Sequence, residues 1–173
     1  MNKIFAQSLV LMGLFILPVT RVVAQNPVKK VYAFAREVSP GREKIVMKPG
    51  GNPVKLHAVT KTTWLFFIAG NLDTTVTKAS FVWINGQQHA VLAQSFITTP
   101  YYIKNNNLPK ELIPATTHKV LQIVPGQILT TLTNSVAKKL SLKNELVIAI
   151  KSGNKNYYIT CKKITKLEPQ QDL

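Results

Sequence analysis

Acid–base, metal or thiol chemistry in this 173-residue chain would have to come from seven carboxylates, three histidines and one cysteine. The acids are Glu37, Glu43, Asp73, Glu111, Glu145, Glu168 and Asp172. Glycoside hydrolysis needs two of them facing each other across a cleft, and no pair is marked by spacing or context. Glu37, Glu43, Glu111 and Glu168 stand beside prolines or turn segments, where a solvated carboxylate is the ordinary outcome. His57, His89 and His118 belong to separate segments, and none has a ligand partner at metal-site spacing. Cys161 stands alone. Lys162 and Lys163 would activate its thiol only by facing it, and in a strand Lys162 points to the opposite face. No serine lies in a Gly-x-Ser-x-Gly elbow. Pro49-Gly50-Gly51 fits a turn better than a phosphate cradle. The expectation is a chain without catalytic residues, metal or cofactor.

Contact chemistry is better supplied. Lysine and arginine number 22 against 7 acids, a formal net charge of +15. Lys3 and Arg21 lie in the first 24 residues, so the remainder keeps +13, and only Arg36 and Arg42 of its bases are arginines. Such an excess attracts anionic glycans, lipid head groups or an acidic envelope protein. The scarcity of arginine and the export signal described below disfavour nucleic acid. The plainer alternative is that the lysines blunt exposed strand edges. Tyr101-Tyr102 and Tyr157-Tyr158 are adjacent pairs. In a strand each pair sends one ring to each face, so each is expected to expose one tyrosine. The candidate contact surface is therefore Lys29, Lys30, Lys162, Lys163 and Lys166 together with Tyr101, Tyr102, Tyr157 and Tyr158. The lysines form one patch if the first and last strands are neighbours. Trp64, in apolar company, is expected in the core; Trp83 suits either core or a surface platform.

The elements that must position these residues begin after an amino-terminal export signal. Lys3 gives it a positive start, Ser8 to Val19 an apolar core of about 12 residues, and Val22-Val23-Ala24 a small residue at the cleavage position. That core is short of the about 20 residues a spanning helix needs. No Cys follows the cut, so no lipoprotein anchor is expected, and no later stretch is apolar enough to span a bilayer. The expected location is the periplasm or the extracellular space.

Beyond residue 24 the chain reads as strands cut by turn signals. Lys30–Arg36 alternates, with Val31, Ala33 and Ala35 on one face and Tyr32 and Phe34 on the other. Lys44–Lys48, Val54–Thr60, Pro100–Lys104 and Lys119–Val124 are shorter strand patterns. Thr63–Ala69 is a continuous apolar run, which suits a strand covered on both faces. Asn85-Gly86 between Thr74–Ile84 and Gln88–Phe96 is a hairpin signal, because a type I′ turn needs positive φ at both central residues. Ser152-Gly153-Asn154 marks a second hairpin between Glu145–Lys151 and Asn156–Thr165. Residues 105–115 read as a loop with two prolines. Residues 128–140 combine a four-residue apolar repeat with threonines that resist helix, so a loop with one helical turn is expected.

Short strands at regular spacing predict an all-β fold, an immunoglobulin-like β-sandwich or alternatively a small antiparallel β-barrel. The Cys…Trp…Cys pattern of antibody domains is missing. The expected division is a signal peptide over 1–24, one domain over 25–166 and a flexible tail over 167–173. The 149 residues after the signal suffice for one core without disulfides. The function expected is a non-catalytic binding or accessory role toward an anionic partner. One alternative is an envelope assembly subunit that works by β-strand addition; another is a hydrolase of envelope glycan or peptide.

Overall fold

Alternation along one strand and a continuous apolar run along its neighbour set the architecture. In the computed structural model, residues 26–40, 44–47, 49–51, 53–56, 60–105, 108–130 and 135–172 are described. The strands are β1 (Val28–Pro40), β2 (Lys44–Met47), β3 (Pro53–Leu56), β4 (Lys61–Gly70), β5 (Thr77–Ile84), β6 (Gln87–Ile97), β7 (Tyr101–Asn105), β8 (Leu108–Ile113) and β9 (Lys119–Ile128). The helix α1 (Ser135–Ser141) follows, then β10 (Leu146–Ser152), β11 (Lys155–Cys161), β12 (Thr165–Lys166) and β13 (Gln170–Asp172). The fold is all-β. Among the described residues no helix is long and apolar enough to cross a membrane. The amino-terminal segment read as a signal lies outside the described residues.

One sheet carries nine of the thirteen described strands, in the order β11-β10-β5-β6-β9-β4-β1-β12, with β13 also beside β1. β2–β3 and β7–β8 are separate hairpins. The immunoglobulin-like division into two facing sheets is not seen among the described strands; the sheet instead curls on itself. Cys161 ends the strand at one edge, and Thr165 begins the strand at the other. The link between them spans at most about 14 Å, whereas eight strands laid flat would separate the edges by about 34 Å.

The curl has an inner face built by alternation. Ala33, Phe66, Ile68, Val82, Ile84, Leu121, Ile123, Leu146, Ile148 and Ile150 all belong to one buried cluster. The outer face is covered twice. The β7–β8 hairpin, through Leu112 and Ile113, packs on Phe67, Ala69 and Val120. Helix α1, through Ala137, packs on Trp83 and Val147. β4 therefore has Phe66, Phe67, Ile68 and Ala69 buried on both sides, as its apolar run predicts.

Four segments differ from expectation, and each has a physical reason. Residues 108–113 form a strand, because Leu112 and Ile113 gain burial on the outer face and Pro109 sits in a two-stranded hairpin that tolerates it. β9 runs through Pro125, opposite register shifts in β6 between His89 and Ala93, and bulges accommodate proline. Ser135–Ser141 is helical because burying Ala137 outweighs weak local propensity; residues 131–134 lie outside the described residues. Beyond Lys166, where a loose tail is expected, Leu167 is buried and β13 pairs parallel with β1.

Candidate functional site

The carboxyl-terminal strands lie beside the first strand. β12 pairs parallel with β1, setting Phe34 opposite Thr165 and Ala35 opposite Lys166. β13 continues this pairing at Val38 to Pro40. Lys29 and Lys30 lie in β1, Lys162 and Lys163 in the bend before β12, and Lys166 in β12; all five are exposed. Lys30 precedes Ala35, the register partner of Lys166, by five residues, roughly 17 Å of strand. The Lys30 ammonium lies 4.7 Å from the centre of the Tyr32 ring, which places it on the outer face.

The junction is not uniform. Where β1 begins, it and β11 do not pair. Among the described residues, Val28 to Ala33 have a registered neighbour only in β4, and β11 only in β10. Between them is a slot of about 230 Å³, lined by Asn26, Val28–Val31 and Tyr158–Thr160. Beside the bend at Lys162, that lysine, Lys143, Asn85 and Glu145 line a concavity of about 280 Å³. Glu145 fixes this bend. Its Oε2 accepts the Ile164 N–H at 2.7 Å, and its carbonyl accepts the Asn85 N–H at 2.8 Å.

Lys166 faces a third concavity, of about 390 Å³, at one end of the curl. The register explains its walls. Ala33 pairs with Phe66, Ala35 with Trp64, and Glu37 with Thr62. Successive pairs two residues apart share a face, so this row runs from sealed core to solvent. Trp64 is half-buried and stacks on Phe66, with ring centres 6.1 Å apart at 27°. Lys166, Leu167, Pro169 and Asn85 complete the rim. Asn85 stands at φ 48° in the two-residue turn before Gly86, as the Asn-Gly signal predicts.

The remaining candidates scatter. Tyr101 packs on Phe67 at 5.2 Å, and Tyr102 is half-exposed on the β7–β8 hairpin. A hydrogen bond from the Tyr102 hydroxyl to Glu111 holds its pKa above the ordinary tyrosine value. Tyr157 and Tyr158 are both half-buried, contrary to the expectation that one be exposed. Tyr157 packs on the inner cluster, and Tyr158 joins the cluster beneath α1. The tyrosine pairs are thus on separate elements, and only Tyr158 borders the lysine seam. Trp83 is buried on the outer face beneath α1.

His89 is buried, with Nδ1 3.1 Å from the Gly126 carbonyl oxygen, and His118 is exposed. His57 lies outside the described residues. Among those described, no three His, Cys, Asp or Glu side chains gather as a metal site would require. Cys161 packs on the inner cluster and its thiol donates to the Lys163 carbonyl at 3.2 Å. Glu37 and Glu145 line separate concavities, one carboxylate in each. The Trp83 indole N–H and the Gln88 amide, cross-strand neighbours, are buried without hydrogen-bond partners among the described residues.

Sequence reasoning missed Glu37, Thr62, Trp64 and Asn85 as one group. No signal in the sequence joins them, because β1–β4 register and the curl create the grouping. Compared with protein-family models, curated proteins and solved structures, the chain matches none.

Proposed function

We propose that this is an exported, non-catalytic binding or accessory protein that holds an anionic partner against the seam between its first and last strands. One observation supports the reading: β1 pairs with β12 and β13, so the strand that carries Lys29 and Lys30 neighbours the segment that carries Lys162, Lys163 and Lys166. The net charge of +15 supports it by drawing anions from a distance. The partner class is an anionic glycan, lipid head groups or an acidic envelope protein. Export rests on the composition of residues 1–24. Between the two architectures expected, the single pairing path and the short β11–β12 link favour a small barrel over an immunoglobulin-like sandwich. Binding to dextran sulfate tests the charge mechanism. Affinity is expected to fall steeply as salt rises; affinity independent of salt would remove the mechanism.

A second reading is favoured by the slot. The facing edges of β1 and β11 lack registered partners there, the arrangement that strand addition uses. An assembly partner bound in this way would protect the amides of Val28–Val31 and Tyr158–Thr160 from hydrogen exchange. A partner that binds without protecting them would count against strand addition.

A further inference from the structure

We propose that the concavity at the end of the curl, over Trp64, binds a neutral sugar ring. Its volume of about 390 Å³ lies within the roughly 300–1,000 Å³ of small-molecule sites. The floor is an aromatic surface made available by register. Ala35, directly opposite Trp64, is too small to cover the indole, while Phe66 stacks against it and fixes its orientation. A rigid indole offers an apolar platform to the C–H face of a pyranose.

The rim supplies what the hydroxyl groups of such a ring need. Glu37 accepts, Lys166 donates, and Thr62 and Asn85 do both. Among the described residues none of these four side chains makes a hydrogen bond or ion pair of its own. The Asn85 backbone is fixed, because its N–H donates to the Glu145 carbonyl. One acid and one base leave the rim without net charge. That distinguishes this site from the lysine seam and selects against an anion. The inference stands apart from the proposed function, since it needs neither the other seam lysines nor an anionic partner.

The test uses the purified protein with methyl α-glucoside, methyl β-galactoside and N,N′-diacetylchitobiose. Tryptophan fluorescence and amide chemical shifts are read at low and high salt. At least one sugar is expected to bind saturably, to shift the Ala35, Thr62 and Asn85 amides, and to bind equally in high salt. Trp64→Ala should weaken it at least about tenfold, as loss of an aromatic anchor does, and Glu37→Gln by about tenfold. Trp64→Phe, which keeps a ring, should retain part of the affinity and guards against a Trp64→Ala variant that fails to fold. The proposal is overturned if no sugar shifts those amides, or if Trp64→Phe and Glu37→Gln both bind like the parent. Binding abolished by salt would equally overturn it and would return the contact to the seam.

Discussion

Glu145, just before β10, shows how one side chain can hold a junction between two strands to which it does not belong. Its carboxylate accepts the Ile164 N–H in the bend between β11 and β12. Charge-assisted bonds of this kind contribute about 1.5–3 kcal/mol, and Glu145→Ala would also leave the Ile164 amide without its acceptor. Urea unfolding should therefore show a loss of about 1–3 kcal/mol, while Glu145→Gln keeps an acceptor and loses less. Equal losses in the two variants would mean that the bond to Ile164 is unimportant. Asp73 gives a prediction in pH. Its carboxylate accepts the Thr75 hydroxyl at 2.7 Å and the Thr75 N–H at 2.9 Å. These bonds hold its pKa below the ordinary 3.8. The native state thus prefers the charged form. The associated stability is fully present above the ordinary value and is lost as pH falls through the lowered one. Carboxyl NMR should place the Asp73 midpoint below 3.8, and Thr75→Val should raise it. An unchanged midpoint in that variant would refute the cause. Neither role was legible in the sequence. Glu145 resembles any strand-end acid, because its partner lies 19 residues away across a hairpin.

Elements were easier to read where local chemistry dictates them. Asn85-Gly86 gives a two-residue turn with φ 48° and 83°, because no common pair adopts that backbone more readily. The face assignment in β1 holds for the same kind of reason: Ala33 lies in the inner cluster, while Tyr32 and Phe34 pack on the outer one. β8 and α1 were not legible, because neither has a strong pattern of its own. Each is stabilised by the outer sheet face that it covers. One glycine is decisive at this scale. A Cβ on Gly70 would collide with the Pro27 carbonyl oxygen, which also accepts the Asn71 N–H. Gly70→Ala should push the start of β1 off β4 and cost about 1–3 kcal/mol. Hydrogen exchange should quicken at Lys30 and Tyr32 first. Uniform quickening across the sheet would mean that the contact does not control the β1 edge.

At the scale of the whole molecule, the proposed contact depends on which strands meet. Composition made the fold class and the basic excess legible, but not the curl. A sheet closes through non-local pairing, and nothing near Phe34 in the sequence points to Thr165, its neighbour in the sheet. That pairing sets the strand that carries Lys29 and Lys30 beside the one that carries Lys166, and the same curl brings Glu37, Trp64 and Asn85 to one concavity. The proposed binding surface rests on the position of the lysines and not on their number. Two variants of equal net charge separate these. One carries Gln at Lys29, Lys30, Lys162 and Lys163; the other carries Gln at Lys61, Lys78, Lys110 and Lys119, which are exposed elsewhere. The measurement is affinity for dextran sulfate at low salt. At about 1 kcal/mol for each lysine near an anionic surface, the seam variant should bind at least about 100-fold more weakly, and the control should lose far less. Equal losses in the two variants would contradict the account, because diffuse charge would then explain the binding without a site.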